Sequence, residues 1–182
     1  MDNLNSDLFP TRGIRWVNKL TSLQPLNRFS RSVTKLQSDM VIYASLKIPA
    51  KIIGVIKMGA GHIFNDSIEY FQALSLGQNN ELRGFRKNRF SGTSMAYGSL
   101  ELRIKLFDSK SYILPGQVGL VVFNDLGRVW YAGEDSHKWH YVAGGGFYYN
   151  PFNLVILSAT VGYSKEERVF NFSLGSKFNI TF

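Results

Sequence analysis

The chain has 182 residues, the length of one domain or part of one, and no cysteine, which excludes disulfides and thiolate metal sites. Lys plus Arg number 21 against 13 for Asp plus Glu, a net charge of +8 that admits nucleic acid, anionic lipid or an acidic partner without choosing among them. With 14 Phe, 9 Tyr and 17 Gly but only 5 Pro, the composition favours strands and turns and points to an all-β protein.

Residues Met1 to Pro10 are polar and lack the basic and apolar stretches of a secretory signal. No run approaches the roughly 18 apolar residues of a membrane helix, so a membrane location would require a barrel. A barrel chain without a signal is expected to be the later part of a longer protein, with residues 1–182 forming a single β-domain within it.

Phe9 to Gly13 reads as a turn and Ile14 to Leu23 as the first strand, closed by Pro25 and the polar stretch to Arg31. Val33 to Lys47 is the second, with Leu36, Met40, Ile42, Ala44 and Leu46 on one face and Lys35, Gln37, Asp39 and Tyr43 on the other; Pro49 ends it. Lys51 to Ile63 is the third, where Gly54, Gly59 and Gly61 suggest bending or close backbone approach. After a long connection, Met95 to Leu106 alternates strictly: Ala96, Gly98, Leu100, Leu102, Ile104 and Leu106 against Met95, Tyr97, Ser99, Glu101, Arg103 and Lys105. Pro115-Gly116 turns into Val118 to Tyr131, and Gly133 to Ser136 connects to Lys138 to Tyr149. Asn150-Pro151 turns into Asn153 to Ser164, and Lys165 to Glu167 into an eighth strand, Val169 to Phe182.

About eight strands, many some ten residues long, have the dimensions of membrane-spanning strands. Trp130, Tyr131 and Trp139 at one end, with Tyr148 and Tyr149 at the other, read as interfacial girdles. Alternation alone also fits a soluble β-barrel that binds an apolar ligand inside. The two readings differ in facing. In a membrane, Leu100, Leu102, Ile104, Phe170, Phe172 and Leu174 lie outside while Glu101, Arg103 and Lys105 line the concave side.

The connection 64–94 has no helical or strand period, and a loop of roughly thirty such residues is rare in a compact domain. It carries Phe64, Tyr70, Phe71, Leu74, Leu76, Leu82, Phe85 and Phe90, too many large apolar groups to leave in water, so it is expected to fold back. Its cations Arg83, Arg86, Lys87 and Arg89 then need acidic partners or water.

Leu82-Arg83-Gly84-Phe85 resembles the (V/L/I)-R-G-(F/Y) motif in the sixth extracellular loop of the BamA/TamA-like outer-membrane assembly barrels, the bacterial surface antigen superfamily. Glu101 within Leu100 to Arg103, and Phe123-Asn124-Asp125-Leu126-Gly127, resembling F-x-D-x-G, follow on the next two strands. Phe178-Asn179-Ile180-Thr181-Phe182 is similar to the C-terminal signal of outer-membrane barrels, with Phe178, Ile180 and Phe182 as its apolar positions. The resemblance implies an antiparallel transmembrane β-barrel, the chain forming the C-terminal half of a sixteen-stranded wall with a long fold-back loop. It implies a Gram-negative outer membrane, outer-membrane lipid and the barrel assembly machinery as partners, and unfolded outer-membrane proteins or lipids as substrates.

If the loop enters the lumen as the resemblance implies, Arg83 reaches a partly dry space and needs a carboxylate. Glu101 and Asp125, on neighbouring strands, could share its planar fork. Gly84 would let the backbone turn closely, Phe85 would wedge against the wall, and Gly127 completes the motif around Asp125. An open half-barrel is expected, because the loop and a closed eight-stranded wall compete for one volume; Ile14 to Leu23 and Val169 to Phe182 would be its unpaired edges.

Catalytic patterns are absent from the sequence. His62, His137 and His140 have no metal-ligand spacing, and the last two are read as surface residues. Gly144-Gly145-Gly146 precedes no helix, so it is a bulge or packing feature and not a phosphate cradle. The loop cations and aromatics do not recur on one strand platform as nucleic-acid binding requires. The chain is therefore read as a non-enzyme without cofactor or metal.

Overall fold

Segments with a period of two can bury one face only by pairing side by side, and here they pair in chain order. The computed structural model describes residues 2–6, 8–24, 32–46, 52–65, 68–78, 81–112, 114–131, 138–152 and 154–176. Its strands are β1 (Asp2–Leu4), β2 (Gly13–Leu23), β3 (Val33–Leu46), β4 (Ile52–Ile63), β5 (Leu74–Leu76), β6 (Phe90–Gly92), β7 (Ser94–Ser109), β8 (Gly116–Trp130), β9 (His140–Pro151), β10 (Val155–Tyr163) and β11 (Arg168–Ser176). All but β5 and β6 form one nine-stranded antiparallel sheet in sequence order, and β5 pairs with β6 alone.

The sheet is a trough. Side chains from β2 through β11, among them Arg15, Tyr43, Lys57, Glu101, Tyr148 and Asn171, line one cavity of about 540 Å³ on its concave side. The opposite parity faces out: Leu100, Leu102, Phe170, Phe172 and Leu174 are exposed, up to 89% for Phe172, with Ile104 partly so. Glu101 and Arg103 line the cavity, while Lys105, half-buried, pairs with Asp108 Oδ1 at 2.6 Å. A register shift between Lys105 and Phe107 breaks the alternation there, which leaves both Leu106 and Phe107 exposed.

Several expectations need correction. The first long strand is not a free edge along its whole length, because Asp2, Asn3 and Leu4 pair with Arg15, Ile14 and Gly13. The turn between them is held by Asn5, whose Oδ1 accepts from Thr11 and Arg12 N–H. At the other edge β11 is described to Ser176, and Phe178, Ile180 and Phe182 lie outside the described residues. No ladder joins β11 to β1 or β2 among the described residues, so the sheet is open.

The long connection is not without strand structure. A 3-10 turn, Tyr70–Gln72, precedes the β5–β6 hairpin. Three-residue strands carry too little pattern to stand out from a loop. Leu74, Leu76, Leu82 and Phe85 are buried against Val121, Phe123 and Val142, so the core lies between the loop and the concave wall. Phe64, Tyr70 and Phe71 are instead exposed. Tyr148, expected at a girdle, is inward and buried, 5.4 Å from the Phe9 ring. Trp130 and Trp139 meet edge to face at 6.1 Å.

Candidate functional site

The turn at Leu82–Phe85 aims Arg83 at the wall. Leu82 N–H donates to Gly77 O at 2.9 Å and Phe85 N–H to Leu82 O at 3.2 Å, which bends the chain and turns the intervening side chain inward. Glycine at 84 is required by space: a Cβ there would sit 2.6 Å from Val142 Cγ1 on β9. Gly162 on β10 does the same from the wall side, since its Cβ would lie 2.6 Å from Arg83 O and 2.8 Å from Gly84 Cα. Gly127 leaves room for Leu76 and Leu82, whose methyls would be 3.1 and 3.2 Å from an added Cβ.

Antiparallel register sets the acceptors. Ser99 of β7 lies opposite Asp125 of β8, and Glu101 opposite Phe123, so four side chains of one parity form a square facing the loop. Arg83 Nε donates to Asp125 Oδ2 at 3.0 Å and Nη2 to Asp125 Oδ1 at 2.8 Å, a bidentate pair, while Nη1 pairs with Glu101 Oε2. Nη2 also donates to Ser99 Oγ at 3.0 Å, and that hydroxyl donates to Asp125 Oδ1 at 2.7 Å. The Arg83 backbone N–H adds a bond to Asp125 Oδ2 at 3.1 Å. Asp125 is 0% exposed and the Arg83 side chain 12%, so charge is compensated within a nearly dry site.

The remaining contacts fix the fork. Phe123 lies under the guanidinium, with Cζ 3.6 Å from its ring centroid, a cation–π contact in a desolvated place. The ring fits because Gly144 offers no Cβ beneath it: β9 stays in continuous register through Gly144, Gly145 and Gly146, so this triplet serves packing and is not a bulge. Glu101 has a second partner, Arg103 Nε at 2.7 Å. Phe85 is buried, edge to face with Phe90 at 5.0 Å and with His140 at 5.6 Å. His140 also stacks on Phe90 at 3.6 Å, so it packs with the loop and is not the surface residue expected.

Burial alone would lower the pKa of Arg83, but Asp125 and Glu101 more than offset it and hold the guanidinium above its usual value. The nearby loop carboxyl Glu81 is pushed by burial up to about 7; its backbone hydrogen bond and Lys57 oppose the rise, while Asp39 and Asp125 add to it.

Arg83, Gly84, Phe85, Glu101, Asp125 and Gly127 thus meet at one place. Sequence reasoning missed Ser99, the guanidinium contact of Phe123, and Asn171, whose Nδ2 donates to Arg83 O at 2.7 Å. The first two share inward parity with Glu101 and Asp125 and could have been found from it. Nothing local ties position 171 to position 83. These contacts join the loop to the wall. The profile of the Omp85 superfamily domain matches residues 1–178. No curated protein matches the chain.

Proposed function

Because the chain belongs to the Omp85 superfamily, we propose that it forms outer-membrane barrel wall of the protein assembly and translocation type, with its loop locked into the lumen by Arg83. The superfamily works in protein assembly and translocation at the outer membrane. In this reading the trough is the second half of a sixteen-stranded barrel in a Gram-negative envelope. The barrel assembly machinery inserts it, reading Phe178, Ile180 and Phe182. Unfolded outer-membrane proteins or lipids are its clients, and the β11 edge, which among the described residues forms a ladder with β10 alone, is where a client strand would pair. The protein's part is structural and not catalytic.

The observation that supports a membrane location best is the convex face. Exposed apolar side chains run across it from Leu20 through Leu36, Ile56, Leu100, Val122, Phe147 and Leu157 to Phe172. A soluble monomer rarely exposes a contiguous apolar patch beyond about 600 Å², whereas a lipid-facing wall must have one. Carbonate extraction of membranes from cells making the protein, followed by heat-modifiable gel mobility, tests the reading. Retention in the carbonate-washed pellet is expected; recovery as a soluble monomer would overturn it.

A further inference from the structure

We infer that the fold-back loop also seats the terminal strand β11, so that release of the loop loosens that edge. This deepens the proposed function and rests on its reading of the β11 edge as the working surface.

An edge strand has one ladder, and among the described residues β11 pairs with β10 alone. Four contacts from the loop supply part of what is missing. Asn171 Nδ2 on β11 donates to Arg83 O at 2.7 Å, beside the buried guanidinium. Gln78 Nε2 reaches the backbone carbonyl of Phe170 at 3.4 Å. At the loop tip, Arg86 holds Glu167 twice, through its N–H to Oε1 at 3.2 Å and Nε to Oε2 at 3.0 Å. Arg89 Nη2 pairs with Glu166 at 3.2 Å. Both acids lie in the turn between β10 and β11, where Ser164 Oγ accepts from the Glu166 and Glu167 N–H groups and fixes the turn.

Two of the three cations that Asp125 and Glu101 leave over, Arg86 and Arg89, are therefore spent on one place, the last hairpin. The same backbone group, Arg83 O, is gripped by β11 and crowded by Gly162 of β10, while its side chain is gripped by β7 and β8. Movement of residue 83 out of the square must break the Asn171 contact too. Loop position and β11 seating are coupled through one residue, which gives the loop a differential contact with the two states of the edge.

Hydrogen exchange on the full chain in detergent micelles, read by mass spectrometry over residues 168–176, tests this. Arg86→Ala, a change at an exposed side chain, should speed exchange there about threefold. Asn171→Ala, which takes the Asn171 donor from a part-buried carbonyl, should speed it about tenfold. Arg83→Ala, which frees the loop, should speed it at least as much as Asn171→Ala, and Lys87→Ala should change nothing. Combining Arg86→Ala with Glu167→Ala should add nothing to either alone, because both remove one contact. Unchanged exchange in 168–176 on Asn171→Ala and Arg86→Ala, or an equal rise from Lys87→Ala, would overturn the coupling. A parent chain that fails carbonate extraction yet shows these rates would sink the membrane reading and leave the coupling standing.

Discussion

Replacing Arg83 with alanine removes at once every bond that the guanidinium makes to the square. Asp125, at 0% exposure, keeps only the Ser99 hydroxyl and the residue 83 N–H as donors, and Glu101 keeps Arg103. Breaking a buried pair by deleting one partner costs about 3–5 kcal/mol, most of it the uncompensated charge left behind. Because Glu101 stays paired and the trough admits water at one side, the lower end applies, about 3 kcal/mol. At 1.4 kcal/mol per tenfold this raises the loop-released population roughly a hundredfold. The segment Arg86-Lys87-Arg89 supplies three trypsin sites close to the lock, so limited proteolysis in detergent reads that population. Glu167→Ala is the control: it removes the pair to Arg86, a side chain 81% exposed, which is worth under about 1 kcal/mol, and leaves every trypsin site in place. Arg83→Lys should fall between the two, since an ammonium cannot serve both carboxylates as a fork. Cleavage of Arg83→Ala within about threefold of the parent would refute the reasoning, because a buried charge of that kind cannot be stranded so cheaply.

Three other outcomes are expected. Leu100→Arg, on the convex face, should cost about 2–4 kcal/mol of folding stability in vesicles if that face meets hydrocarbon, and almost nothing if it meets water; urea titration in vesicles distinguishes these. Gly162→Ala places a methyl against Arg83 O and Gly84 Cα and should destabilise loop docking by about 1–3 kcal/mol, seen as faster trypsin cleavage with the sheet's circular dichroism unchanged. Glu81 has a folded-state pKa raised above that of the unfolded chain to about 7, so the unfolded state loses its proton first and stability should fall as pH rises from about 4.5 to about 7, then level off. Glu81→Gln should flatten that slope and leave the loop better protected at pH 8; a parent whose protection rises across the same interval would contradict the assignment.

The long strands were legible because their alternation is dictated by the two sides of one sheet. The bounds of Met95 to Leu106 grew at both ends to Ser94–Ser109, since pairing with β8 continues past the point where the pattern breaks at the bulge. β1 was invisible: three polar-flanked residues hold their place by pairing with Gly13, Ile14 and Arg15, and Gly13 takes a φ of 132° that its own sequence context does not announce. The loop's burial was half legible. Counting Phe and Leu showed that it must fold back, but not that Phe64, Tyr70 and Phe71 would stay outside while the smaller leucines go in, because the Leu82–Phe85 turn decides which segment reaches the wall. Residues 83, 101 and 125 were marked by the resemblance of their motifs to the family's; Asn171 could not be, as its partner is a backbone carbonyl 88 positions away.

The positions of the acceptors also order the folding. Ser99 and Glu101 are 16 and 18 residues from Arg83, Asp125 is 42 away, and Asn171 is 88 away on the last strand described. Long-range closures are slow because their entropy is spent before any contact rewards it. A guanidinium that must wait for two strands to register, and a carbonyl that must wait for the third strand beyond them, cannot be satisfied early. The loop's full set of contacts is therefore complete only when β7, β8 and β11 are all in place.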